Sequence, residues 1–202
     1  MPENFDRKQV EISFRKFSDY ASDVVSSNSN IFYTRLNIFI HHCESDPVMS
    51  FICNQLKNID TNFEEWLRKG ESTGGSMVGS CQFNLPVDEK ARDALLYQLC
   101  LKINKNEIDL FGFCLDFFGS HGLDGMIYDF NEAIIKPMVR SIGYKLEEIE
   151  YDIETDLQGE RYIPITVLNV YQDFSTTVNG NVNTEGDAAI GKGASIETKK
   201  LI

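Results

Sequence analysis

The pattern of apolar positions over the first part of the chain is that of an α-helical protein. Between residues 9 and 25 the apolar side chains recur every three or four positions, which places them on one face of a helix. Residues 31–43 are dense in apolar side chains and predict a buried helix, although their β-branched and aromatic content leaves a strand open. Asp46 and Pro47 are typical of a helix start, and the apolar residues that follow predict a helix up to Gly70.

The middle of the chain predicts one loop and three more helices. The Gly- and Ser-rich residues 70–86 predict a loop, in which residues 77–85 form either a short strand or an extended arm. A strong helix follows Asp88, with a single apolar stripe, and the next helix is expected over residues 106–118. Asp124 is expected to cap a last long helix, which Pro137 must kink or split.

Near Gly159 the pattern changes from helical to β. The residues after it are rich in Ile, Val, Thr and Tyr, and two short hairpins with few large side chains close the chain. The predicted fold is therefore mainly α, a helical bundle of about five to six helices over residues 1–158. A small β-rich tail of short strands and hairpins is predicted over residues 159–202.

Charge and cysteine content narrow the functional class. The net charge is −12, and because acidic and basic residues balance from Ser175 onward, the residues before Ser175 carry all of it. Nucleic acid is therefore disfavoured as a ligand, since phosphate contacts need concentrated Lys and Arg. The five cysteines form no close pairs and read as buried thiols of a reducing compartment. No apolar run approaches the ~20 residues of a membrane helix, so the expected location is the cytoplasm.

The stretch "GDAAIGKG" has the Gly, four residues, Gly-Lys spacing of a phosphate-binding loop. That chemistry needs a hydroxyl residue after the lysine and a following helix, whereas Gly193 follows Lys192 and nine residues remain. A β-hairpin accounts for more of these residues than a phosphate-binding loop does. Asn179-Gly180 is a strong two-residue turn signal, and residues 188–196 repeat the same hairpin pattern twelve residues later.

The tail resembles a Gly/Asn-rich element of the form "VxGNVxGxxAIG" found in bacterial proteins associated with abortive infection and anti-phage conflict. The residues that carry the resemblance are Val178, Gly180, Asn181, Val182, Gly186, Ala189, Ile190 and Gly191. The resemblance implies a defence context and a tail that self-associates or docks on a partner. The residues expected to mediate self-association are Val178, Asn179, Gly180, Val182, Ile190, Gly191, Gly193 and Ile196.

Arg35 and His42 are the candidate catalytic pair. They are seven residues apart, on one helix face, and the spacing of Arg35 to His41 or His42 resembles the Arg/His pattern of HEPN ribonucleases. That resemblance implies an arginine that binds the scissile phosphate and a histidine that acts as general base. The alternative is structural, with Arg35 paired to an acid and His42 a hydrogen-bonded core residue.

Two further clusters have simpler explanations than chemistry. Adjacent histidines point about 100° apart on a helix, so His41 and His42 with the neighbouring cysteines are a poor metal site. Ser120, His121 and Asp124 lie too close in sequence for a hydrolase triad, and a Gly-rich turn explains them.

The sequence therefore favours a non-enzymatic protein of a bacterial defence system that binds copies of itself and an unidentified protein partner. No cofactor and no metal are expected. The alternatives are a HEPN-like ribonuclease that uses Arg35 and His42, and a phage-encoded protein that binds a host factor.

Overall fold

The computed structural model describes residues 5–75, 77, 79–119 and 122–156, without the side chains of 152–156. Eight α-helices and one π-helical segment lie within these ranges. The helices are α1 (Arg7–Val25), α2 (Phe32–Ser45), α3 (Pro47–Asn58), α4 (Phe63–Ser72), α5 (Glu89–Asn104), α6 (Leu110–Phe117), α7 (Gly122–Phe130) and α8 (Lys136–Asp156), with the π segment at Asn131–Ile135. The described part contains no strand, so the mainly helical prediction is confirmed there. The predicted β tail lies outside the described residues.

Aspartates begin four of the helices. Asp6, Asp46, Asp88 and Asp109 precede α1, α3, α5 and α6. Each carboxylate accepts a hydrogen bond of between 2.6 and 3.1 Å from a backbone N–H of the first turn. Such caps contribute about 1 kcal/mol each and satisfy amides that have no partner within the helix. The predicted starts at Asp46 and Asp88 are confirmed.

Helix α5 is the centre of the bundle. It is contacted by α2, α3, α8 and the π segment, and it is buried on nearly all sides rather than along the single stripe that the sequence predicts. Its buried residues are Asp93, Ala94, Leu95, Leu96, Tyr97, Leu99, Cys100, Leu101 and Ile103. A helix that is apolar all round belongs in a core. The one charged member, Asp93, therefore needs partners inside the protein.

Two predicted helices begin or end elsewhere in the structure. The helix expected to reach Gly70 is broken at residues 59–62, where Asn62 adopts a left-handed conformation with φ 48°. The carboxylate of Asp60 accepts the Asn62 N–H and stabilises this turn. Likewise the helix expected from Asn106 begins at Leu110, because Asn106 is also left-handed (φ 57°). The first break, together with the π segment between α7 and α8, gives eight α-helices in the described residues, more than the five to six predicted.

The loop between α4 and α5 is an extended arm, one of the two forms that the sequence left open. The Cys81 N–H donates to the Asp116 carbonyl, and the Phe83 ring lies 5.8 Å from the Trp66 ring. The Trp66 indole N–H in turn donates to the Asn84 carbonyl at 2.6 Å. The arm is therefore held to α4 and α6 by both rings and backbone.

Pro137 lies at the start of α8, directly after the π segment. Proline has no N–H and clashes with the carbonyl four residues earlier in a regular α-helix. The wider π turn accommodates this defect, so α7, the π segment and α8 follow one another without a break. Within the described residues, no helix combines the length and the apolar content needed to cross a lipid bilayer.

Candidate functional site

Arg35 links helix α2 to the end of helix α1. Its Nη1 atom donates to the Asp23 carbonyl at 2.7 Å and to the Ser26 hydroxyl at 3.2 Å, and its Nη2 lies 3.7 Å from the Asp23 carboxylate. The last carbonyls of a helix have no partner within it, and a cation there also complements the helix dipole. These contacts give Arg35 a structural role at the C-terminus of α1.

His42 is buried between the same two helices. Only 7% of the residue is exposed, its Nε2 lies 3.4 Å from the Ser13 carbonyl, and its ring meets the edge of Tyr20 at 5.2 Å. Burial lowers the pKa of His42, while the Ser13 carbonyl and Asp46 act in the opposite direction. Arg35 and His42 thus contact α1 at separate places. The contacts favour the structural alternative, and the ribonuclease hypothesis stays a prediction.

The lowered pKa of His42 predicts a loss of stability in mild acid. The unfolded chain takes up a proton near the ordinary pKa of 6.5, whereas folded His42 takes it up only at lower pH. Protons therefore favour the unfolded state, and the free energy of unfolding should fall as the pH drops below about 6.5 toward the folded pKa. Urea unfolding between pH 8 and pH 5, measured by circular dichroism, checks this.

His42→Gln should remove that part of the pH dependence, since its amide keeps a donor for the Ser13 carbonyl but does not titrate. His41→Gln is the matched control, because His41 is the exposed neighbour on the same helix. An unchanged pH profile in His42→Gln would contradict the assignment. Loss of RNA cleavage in this variant, with its helix content intact, would instead support the ribonuclease hypothesis.

Cys43 and Cys100 are buried thiols of low reactivity. Cys43, Cys53, Cys100 and Cys114 are buried and Cys81 is partly exposed, and all five are free. Burial raises the pKa of Cys43 and Cys100, so both stay protonated, and a protonated thiol is a weak nucleophile and metal ligand. Among the described residues, no three His, Cys, Asp or Glu side chains are arranged to hold a metal ion.

Asp124 connects two turns rather than capping a helix as predicted. Helix α7 begins at Gly122, and the Asp124 carboxylate in its first turn accepts hydrogen bonds from the N–H and the hydroxyl of Ser29, at 2.8 and 2.6 Å. These two bonds lower the pKa of Asp124. The predicted cap was wrong because the partner of Asp124 is 95 residues away in the sequence. Ser120 and His121 lie outside the described residues.

An open cavity of about 430 Å³ lies where α6 ends beside the π segment. Phe118, Asp129, Glu132 and Ala133 line it, so its polar side chains are two carboxylates. Nearby, the Asn131 amide donates to the Val24 and Val25 carbonyls at 3.4 and 3.2 Å. The π segment thus makes a second contact with the C-terminal end of α1, in addition to that of Arg35.

The solvent side of α8 carries two exposed tyrosines. Helix α8 packs on α1 and α5 through its other side, where Met138, Ile142 and Leu146 are buried. Tyr144 is 53% exposed and Tyr151 is 58% exposed, far more than packed aromatic side chains. They alternate with two charged residues at spacings of four and three, which keeps all four on one face. We name this surface the tyrosine face (Arg140, Tyr144, Glu148 and Tyr151).

The tyrosine face was not predicted from the sequence. Its spacing was available, but exposure is visible only once the inward side of α8 is known. The self-association residues, from Val178 to Ile196, and the "GDAAIGKG" stretch lie outside the described residues. No family model, curated protein or solved structure matches this chain.

Proposed function

We propose that the protein is a non-enzymatic, self-associating component of a bacterial anti-phage defence system. The observation that carries the proposal is the tyrosine face, where two aromatic side chains remain more than half exposed on a well-packed helix. Tyrosine is enriched in the contact regions of protein interfaces, because its ring supplies apolar area and its hydroxyl tolerates water. Binding to protein surfaces is thus the activity that the described part supports best.

The tail supplies the defence context and the second contact. Its resemblance to the Gly/Asn-rich element of conflict-associated proteins implies self-association, and its two hairpin signals carry too few large side chains for a core of their own. Residues 175–202 are also charge-neutral, unlike the acidic body. Tails of neighbouring copies can therefore approach with little electrostatic repulsion.

The body fits the same role. Arg35 and His42, the candidate catalytic pair, contact backbone carbonyls of α1 and so help to pack α2 on α1. The partner of the assembled form is a further protein, in keeping with an acidic surface that disfavours nucleic acid.

Charging the apolar positions of the tail should dissociate the oligomer. In the full chain, Val182→Asp with Ile190→Asp places carboxylates at two of the positions expected to mediate self-association. Burying them between copies would be costly, so light scattering should report a smaller particle than wild type at equal concentration.

Asn183→Asp with Thr184→Asp is the matched control, because it adds the same charge to the same segment without removing an apolar side chain. Circular dichroism verifies that the helical body is intact in both variants. A wild-type chain that is monomeric, or a tail variant of unchanged size, would contradict tail-mediated self-association.

A further inference from the structure

Charge along the tyrosine face is ordered by sign. Arg140 lies one turn before Tyr144, and Glu148 lies one turn after it. Each is about 6 Å from Tyr144 along the helix axis, on opposite sides. The face therefore has a basic end and an acidic end, with an aromatic residue between them.

This order makes the face complementary to itself in one orientation. If two copies of α8 lie antiparallel with Tyr144 opposite Tyr144, the Arg140 of each copy faces the Glu148 of the other. The same register brings Tyr151 against Pro137, which is partly exposed. A parallel arrangement would instead place like charges together. Antiparallel packing also pairs opposite ends of the two helix dipoles.

The local charge permits a second copy to approach. Although the chain carries −12 overall, the stretch from residue 136 to residue 151 is balanced. It holds three basic residues, Lys136, Arg140 and Lys145, and three acidic ones, Glu147, Glu148 and Glu150. Two copies of this stretch therefore meet without net charge on either, and salt screens the repulsion between the acidic residues around it.

We propose that the tyrosine face is a two-fold contact between copies of this chain, with the two α8 helices antiparallel and Tyr144 on the axis. Two-fold contacts use the same patch on both subunits, as self-complementary charge requires. This inference rests on the proposed self-association and adds a second interface to it, in the helical body. Tail and body contacts on one chain would reinforce each other through effective concentration.

The size of the face sets the expected strength. Four turns of one helix measure about 22 Å by 10 Å, an area of about a quarter of the roughly 800 Å² per partner of a standard stable interface. The body contact alone should therefore be weak, and it should become tight only when the tails also associate.

Charge reversal in the full chain tests the contact. Arg140→Glu and Glu148→Arg should each weaken association about 10-fold, since two symmetry-related ion pairs become repulsive. The double variant Arg140→Glu/Glu148→Arg should recover to within about 3-fold of wild type. Sedimentation equilibrium measures each Kd at concentrations up to about 1 mM. Each variant is measured twice, once in a chain with the wild-type tail and once in a chain that also carries Val182→Asp/Ile190→Asp.

General electrostatic repulsion predicts a different result. Glu148→Arg lowers the net negative charge, so repulsion alone would make association stronger, whereas the two-fold contact requires it to weaken. Arg15→Glu and Glu71→Arg are the matched controls, because they change the charge equally at exposed positions on α1 and α4. In both controls the Kd of self-association should stay within about 3-fold of the value expected from the altered net charge alone.

The outcomes separate the two proposals. Weakening by both single variants with recovery in the double variant supports the two-fold contact. Unchanged Kd values in both tail backgrounds, or a double variant no tighter than the singles, would overturn it and leave tail association standing. Monomers of the tail-disrupted chain at about 1 mM would also overturn it. If the body variants act and the tail variants do not, the contact stands and tail association fails.

Discussion

Phe113→Ala should lower the free energy of unfolding by about 3–5 kcal/mol, the range for removal of a buried phenylalanine ring. Phe113 is 5% exposed on α6, and its ring centroid lies 4.6 Å from that of Phe117. It also meets Phe83, Phe118 and Phe130 at 6.1, 5.9 and 6.3 Å, all edge-on. Deleting this ring removes its contacts with four aromatic neighbours and leaves a cavity between them. Urea unfolding followed by circular dichroism measures the loss.

The same substitution should loosen the arm between α4 and α5, because Phe83 is the arm's contribution to the cluster. Limited proteolysis should then cut residues 73–88 faster than in wild type. Phe113→Leu is the control that keeps most of the volume, and it should cost about 1–1.5 kcal/mol. Equal losses in the two variants would show that the cavity is not the cause.

Local sequence signals predicted where helices begin. Asp46 before Pro47, and Asp88 before an apolar run, act through hydrogen bonds to amides two or three residues away, so their effect is readable from the sequence. The breaks at Asn62 and Asn106 were equally local, since Asn tolerates the left-handed conformation. The polar run before Asn62 was a signal for the first break.

Features that depend on distant partners were not predictable. The complete burial of α5 follows from helices packed on it from several directions, and its sequence shows only that one side is apolar. Asp124 and Ser29 meet across 95 positions. The π segment before Pro137 was foreseen only as a kink or a split, because proline demands a local change without specifying which.

The residues of the candidate site show the same difference between local sequence signals and distant contacts. The spacing of Arg35 and His42 correctly placed both on α2, but their partners, carbonyls of α1, are set by helix packing. For the tyrosine face the order of Arg, Tyr, Glu and Tyr can be read from the sequence. Its exposure to solvent is known only from the fold, which shows which side of α8 is buried.

The buried carboxylate of Asp93 links α5 to α8 and should make the second large contribution to stability. Asp93 is 1% exposed; the Ser141 hydroxyl donates to its Oδ2, and the Lys145 Nζ lies 3.4 Å from the same atom. Lys145→Met leaves the carboxylate buried without a cation. We expect a loss of about 2 kcal/mol, below the 3–5 kcal/mol of a fully buried pair, since 29% of the Lys145 side chain is exposed.

Replacing Asp93, Ser141 and Lys145 together distinguishes two causes of instability, the burial of an unpaired charge and the loss of packing. Asp93→Leu/Ser141→Ala/Lys145→Met removes both the buried carboxylate of this group and its cation, and apolar replacements of buried ion pairs are often neutral or stabilising. The triple variant should therefore unfold within about 1 kcal/mol of wild type while Lys145→Met alone does not. A triple variant as unstable as the single one would mean that the cluster stabilises the helix pair by its shape rather than by balancing the charge of Asp93.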